Sequence, residues 1–174
     1  IIQEFINDVG IPIYEGYGLS ETTAIVSVNT PSARKFGTVG KVMEGVRVTL
    51  DKTVAASNNE DGEIIVYGDG IMKGYHNLPD KTADVIADDG GFRTGDLGRL
   101  DSEGFLRITG RVKEQYKLEN GKYVAPAPLE EALKLSPYIE QCMLFGSNKV
   151  HNVALIVVAG EELTKFAKNQ GLTE

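Results

Sequence analysis

The segment Gly62-Glu63-Ile64-Ile65-Val66-Tyr67-Gly68 decides the fold class of this chain. Ile64 to Tyr67 form an unbroken apolar and aromatic run between two glycine boundaries, which reads as a short buried strand. It runs on into a glycine-rich turn through Lys73-Gly74-Tyr75, and the whole stretch reads as scaffold. Working outward, Val46–Leu50 reads as a neighbouring strand, and Arg99–Asp101 with Phe105–Thr109 reads as a hairpin around Ser102-Glu103-Gly104. Towards the start, Ile11–Tyr14 reads as a short buried strand entering the loop Glu15–Glu21. Residues 1–9 read as the end of a helix with Ile2, Phe5 and Ile6 on one face. The chain holds 20 glycines, most of them between short apolar runs, so the first part is expected to be many strands joined by tight turns.

The pattern changes near Gly110. Leu129–Leu135 has helical composition with Pro128 suited to the first turn, and Ile139–Phe145 and Val153–Ala159 read as strands. Glu161–Asn169 reads as a helix stopped by Gly171. The expected fold is therefore α+β, with a β-rich unit over residues 1–110 and an α+β unit over 111–174. A second unit of about 60 residues is marginal in size for a core of its own.

A net charge of −7 and a pI near 4.9 argue against a nucleic-acid partner, which selects basic surfaces. They do not exclude a nucleotide, because a few cations and backbone amides can hold a phosphate locally. The single cysteine, Cys142, rules out an internal disulfide, fits a reducing compartment, and is expected in the core. Val153–Ala159 is far shorter than the roughly 20 apolar residues that cross a bilayer. The chain begins Ile-Ile-Gln, with no signal peptide in view, and is expected to be an internal piece of a longer protein.

No Walker-type Gly-x4-Gly-Lys-Ser/Thr is present, and Gly68-Asp69-Gly70 followed by Gly74 misses the dinucleotide spacing by one residue. His76 and His151 are isolated, and no Cys or His pair has metal spacing. Three segments carry candidate chemistry. Tyr17-Gly18-Leu19-Ser20-Glu21 places an aromatic, a hydroxyl and a carboxylate on one loop, suited to a base, a phosphate oxygen and Mg²⁺ respectively. Taken alone, the signal is weak, and the motif reads first as a strand-to-helix turn with Ser20 as the N-cap. Phe92-Arg93-Thr94-Gly95-Asp96-Leu97 sets an aspartate just past a glycine turn, where it could accept both hydroxyls of a ribose or simply bond its own backbone. Gly110-Arg111-Val112-Lys113-Glu114 with Lys117 could meet phosphate or sugar oxygens, or be a solvated charge run at a domain boundary.

Taken in order and with their spacing, these segments and the Gly62–Tyr75 stretch resemble the adenylate-forming (AMP-binding) superfamily, which includes acyl-CoA synthetases, peptide-synthetase adenylation domains and luciferases. The likeness runs from Tyr14 to the end. The stretch Tyr116–Pro126, Ile139–Gly146 and Val153–Val158 resemble long-chain fatty acid–CoA ligases in particular. The resemblance implies a distorted, barrel-like subdomain from the end of a large AMP-binding domain, followed by the start of a small C-terminal domain, with a hinge near Lys113. It implies that Tyr17 and Gly18 line the adenine side, that Ser20 contacts the α-phosphate and that Glu21 holds Mg²⁺. It further implies that Asp96 binds the ribose hydroxyls, that Arg111 reaches ribose and phosphate, and that Lys117 lies near the adenylate. Glu21 and Lys113 are the residues carried over with a part in the reaction.

The implied reaction joins a long-chain fatty acid to coenzyme A, using ATP and Mg²⁺ and passing through acyl-AMP. The implied setting is the cytoplasm, with peripheral membrane contact compatible with a fatty acid substrate. Alternatives within the resemblance are an aryl-CoA ligase, a peptide-synthetase adenylation domain or a non-catalytic binding descendant. The family's Ser/Thr/Gly-rich phosphate loop and its near-C-terminal lysine are not found in these 174 residues, so the chain alone is expected to be inactive.

Overall fold

The computed structural model describes residues 2–54 and 60–172. The chain divides into two compact units, Ile1–Val112 and Lys113–Glu174.

The first unit opens with helix α1 (Ile2–Asp8), then strands β1 (Gly16–Tyr17), β2 (Ser27–Val28) and β3 (Lys41–Val42), which form a three-stranded antiparallel sheet in that order. Strands β4 (Arg47–Asp51), β5 (Gly62–Tyr67), β6 (Phe92–Leu100) and β7 (Leu106–Arg111) form a four-stranded antiparallel meander, with helix α2 (Pro79–Val85) between β5 and β6. The quoted segment is thus an inner strand, paired on both edges, and Ile64, Ile65 and Val66 are all buried. Ile64 and Val66, two apart and so on one face of the sheet, join Val26 and Leu106 in the core, with Tyr17, Val39, Val48 and Ile108 packed around them. The two sheets touch through an isolated bridge, Lys41 to Phe105, and through hydrogen bonds from Val39 N–H and Leu106 N–H to the Leu106 and Gly40 carbonyls, each at 2.8 Å. Within the three-stranded sheet Gly40 lets the chain lie close against β2: with φ of +89°, an added Cβ would lie 1.8 Å from the Val28 carbonyl carbon. Among the described residues no ladder joins β1 to β4, so the sheets stay open and do not close into a barrel.

The second unit begins with a short ribbon of β8 (Tyr116–Lys117) and β9 (Tyr123–Val124), then helix α3 (Pro126–Leu133), the hairpin β10 (Ile139–Phe145) and β11 (Val153–Val158), and helix α4 (Gly160–Asn169). Its buried apolar residues are Leu118 and Val124. Much of the hairpin is uncovered: the cross-strand partners Met143 and Leu155 are 55% and 67% exposed. Cys142, on β10, is accordingly half-buried instead of lying in a core. No helix among the described residues is long and apolar enough to cross a membrane.

The α+β class and most elements agree with the sequence. The expected strand at Ile11–Tyr14 does not form, because Pro12 has no N–H to give a ladder; pairing starts at Gly16, and Ile11 is 59% exposed. Helix α3 starts two residues before the expected Pro128, at Pro126, which fits a first turn as well.

The core position of β5 gives a stability prediction. Ile64→Ala is expected to lower unfolding free energy by about 2–5 kcal/mol in urea titration, while truncation of exposed Val150 changes it by less than about 0.5 kcal/mol.

Candidate functional site

The site grows from an irregularity in β6. Glu63 faces Leu97 and Ile65 faces Arg93, so Thr94, Gly95 and Asp96 together stand opposite Ile64 alone. Such a bulge re-aims a side chain while the strand continues. Gly95 takes φ of +73° to make it, and side chains replace the missing ladder bonds. The Thr94 hydroxyl donates to the Ile64 carbonyl at 2.8 Å and accepts the Asp96 N–H at 3.1 Å; Glu63 accepts the Gly95 N–H at 3.1 Å. The expected turn before Asp96 is therefore a bulge inside a nine-residue strand.

Asp96 is 7% exposed, and a carboxylate so buried needs partners. Tyr17 on β1 donates its phenol to Oδ2 at 2.7 Å, and Arg111 on β7, its direct cross-strand neighbour, donates Nε to Oδ1 at 2.8 Å. Burial pushes the Tyr17 phenol well above its ordinary range; the Thr94 hydroxyl works against this and Asp96 adds to it. The phenol therefore stays protonated and remains a donor at neutral pH. Sequence reasoning placed Tyr17 beside a base, and the geometry adds a hydroxyl that holds Asp96.

Beyond β1 the chain makes a single 3-10 turn, Ser20–Thr22. Ser20 is not its cap. Thr22, which is buried, accepts the Leu19 N–H at 3.1 Å and donates to the Leu19 carbonyl at 3.0 Å. The Ser20 side chain is exposed. Gly18 is required for backbone proximity, since a Cβ there would sit 1.4 Å from the Ala24 carbonyl oxygen. Glu21 is half-buried, and its Oε1 accepts the Tyr75 phenol at 2.9 Å. That bond raises the Tyr75 pKa, with desolvation and the Glu21 charge adding to it.

The remaining candidates lie in the second unit. Lys113 opens it, exposed, within the 3-10 turn Val112–Glu114. Lys117 stands on β8 with its ammonium 5.5 Å from the Tyr123 ring centroid. The structure thus brings Tyr17, Asp96 and Arg111 together, and sets Gly18, Ser20 and Glu21 on the turn that follows β1. Glu63 and Tyr75, which the sequence reading left as scaffold, have parts here: Glu63, with Thr94 of the Asp96 segment, bonds the backbone of the bulge that carries Asp96, and Tyr75 bonds the Glu21 carboxylate.

Mg²⁺ keeps several waters and takes one or two carboxylates plus substrate phosphates. No group of three or more His, Cys, Asp or Glu side chains among the described residues could enclose a metal by itself. A lone half-buried carboxylate such as Glu21, whose Oε2 makes no hydrogen bond within the described residues, fits a cation shared with a nucleotide.

Residues 1–76 match the profile of the AMP-binding enzyme family, and residues 113–173 match that of the AMP-binding enzyme C-terminal domain. The chain belongs to the AMP-binding enzymes. It is 41% identical over 84% of its length to the long-chain-fatty-acid–CoA ligase ACSBG1 of Macaca fascicularis, of which it spans 20%. It is also 41% identical over 97% of its length to the long-chain-fatty-acid–CoA ligase FadD15 of Mycobacterium bovis, of which it spans 27%. Among solved structures it is similar to the O-succinylbenzoate coenzyme A synthetase of Bacillus subtilis in complex with ATP and magnesium ion, with a TM-score of 0.77 and 28% identity over 97% of this chain and 37% of that one. This AMP-binding chain thus has fatty acid–CoA ligases among its relatives, and it spans well under half of the length of each protein named here.

The charge network behind the bulge sets a pH dependence. Arg93 Nη2 bonds both Asp51, at 2.7 Å, and Glu63. The Thr53 hydroxyl, followed by Arg93, holds the Asp51 carboxyl at about 2, against 3.8 ordinarily. A depressed folded-state pKa gives stability that is present above the unfolded value and lost as pH falls towards the folded one. Acid titration followed by circular dichroism is expected to show stability falling between about pH 4 and pH 2, with a flatter fall in Asp51→Asn.

Proposed function

We propose that this chain is the ribose, metal and hinge side of a long-chain fatty acid–CoA ligase. The observation that carries the reading is the buried Asp96 carboxylate, held from both sides by Tyr17 and Arg111 in a family of AMP-binding enzymes. Each Asp96 oxygen accepts one bond within the protein and keeps a second lone-pair direction, so the pair of oxygens can accept the two adjacent hydroxyls of a ribose. Arg111, whose side chain is more than half exposed beside Asp96, is the cation proposed to meet sugar or phosphate oxygens. Gly18 lets the turn fold tightly against Ala24 on the proposed adenine side, the exposed Ser20 hydroxyl is placed to donate to an α-phosphate oxygen, and Glu21 would hold Mg²⁺.

In the proposed reaction the carboxylate of a long-chain fatty acid attacks the α-phosphorus of ATP, and pyrophosphate leaves. The thiol of coenzyme A then attacks the acyl carbon of the adenylate, and AMP leaves. Mg²⁺, when bound, offsets charge on the phosphates. Asp96 and Arg111 keep the nucleotide in register through both steps. The division at Val112/Lys113 is the proposed hinge, where a few residues at an element end absorb a dihedral change, and Lys117 is proposed as a further nucleotide-binding residue. The proposed domains are 1–110 and 111–174, a boundary two residues before the division of the fold at Val112/Lys113. A cytoplasmic setting with peripheral membrane contact suits the apolar substrate. The fatty acid reading, in preference to an aryl-CoA ligase, a peptide-synthetase domain or a binding descendant, is supported by the names and 41% identity of the ligases quoted above.

The full-length protein is expected to exchange labelled pyrophosphate into ATP only with a carboxylate present, and more strongly with long saturated acids than with aromatic ones. Glu21→Gln is expected to reduce that exchange by at least about tenfold. Equal exchange with aromatic acids overturns the fatty acid reading, and none with any acid overturns the ligase reading.

A further inference from the structure

The Gly62–Tyr75 stretch reads as scaffold in sequence, yet its far end reaches the Glu21 carboxylate. Three bonds strap the Glu21 turn to this loop. Met72 N–H donates to the Glu21 carbonyl at 2.8 Å, the Thr23 hydroxyl donates to the Gly70 carbonyl at 2.6 Å, and the Tyr75 phenol donates to Glu21 Oε1 at 2.9 Å. Tyr75 is itself anchored: Thr82, on α2, accepts its N–H at 2.9 Å and donates to the Leu78 carbonyl at 3.0 Å. Gly74, at φ of +145°, has no room for a side chain, because a Cβ would come within 2.8 Å of the Thr82 methyl. Non-glycine residues take positive φ near both ends of the strap, Thr23 (52°) and Ala24 (91°) two and three residues after Glu21, and Asn77 (55°) two after Tyr75. Such conformations persist where surrounding contacts over-determine them.

From this geometry we infer that Tyr75 is a positioning residue for the metal ligand Glu21, an inference that rests on the proposed role of Glu21. A carboxylate on a free side chain samples several rotamers and loses that freedom when it binds a cation. The phenol fixes Oε1, while Oε2 accepts no hydrogen bond among the described residues, so the side chain is ordered before Mg²⁺ arrives. The phenol also keeps a neutral donor on the carboxylate, so the fixation adds no charge that would compete with the cation. The bond spans 54 residues of sequence and is made by a different loop from the one that carries Glu21, so its loss frees the carboxylate without removing it.

The test is calorimetric titration of Mg²⁺ into the full-length protein saturated with ATP, with ATP affinity measured separately in chelator. Tyr75→Phe removes only the hydroxyl. It is expected to weaken Mg²⁺ association by about tenfold, the usual scale of one hydrogen bond to a charged group, with ATP affinity in chelator unchanged. In a Glu21→Gln background the same change is expected to have no further effect on Mg²⁺, whereas a general folding defect would lower affinity in both backgrounds. Unchanged Mg²⁺ affinity in Tyr75→Phe, with weaker affinity in Glu21→Gln, overturns the positioning role and leaves Glu21 as the ligand. Unchanged affinity in Glu21→Gln overturns the metal role of Glu21 as well.

Discussion

A carboxylate taken almost wholly out of water must be paired, and in the first unit that carboxylate is Asp96. Its two partners come from different sheets: Tyr17 from the three-stranded one and Arg111 from the four-stranded one. The pairing ties the sheets together beside their shared core of Val26, Ile64, Val66 and Leu106. It also explains the bulge in β6, since a regular strand would leave Asp96 without the orientation that meets both partners. The Glu63 and Thr94 side chains, which replace the ladder bonds lost there, follow from the same demand. Substitutions that leave Asp96 without a partner should therefore disturb fold and site together.

Much of this was legible beforehand. The apolar run Ile64–Val66 marked the inner strand, because only a strand paired on both edges and covered on both faces can bury consecutive residues. Tyr17, Glu21, Asp96 and Arg111 stood out by residue type and spacing, and their meaning came from resemblance more than from chemistry alone. What stayed hidden was long-range. Nothing near Tyr17 in sequence announces a bond to a residue 79 positions away, and nothing near Tyr75 announces one to Glu21. Gly95 looked like a turn because positive φ serves turns and bulges alike. Pro12 was a readable warning against a strand at Ile11–Tyr14, and its missing donor outweighed the apolar pattern around it.

The second unit differs in kind. Its hairpin keeps apolar side chains in water on both strands, and its buried apolar residues are few. Family membership covers this unit as well as the first.

The central claim, that Asp96 accepts both ribose hydroxyls, is tested most directly by comparing AMP with 2′-deoxy-AMP on the full-length protein. Wild type is expected to bind AMP at least about tenfold more tightly than the deoxy nucleotide, the scale of one hydrogen bond to a carboxylate. Asp96→Asn, folded by circular dichroism, is expected to lose most of that preference. A folded Asp96→Asn protein that still discriminates as wild type does would contradict the assignment.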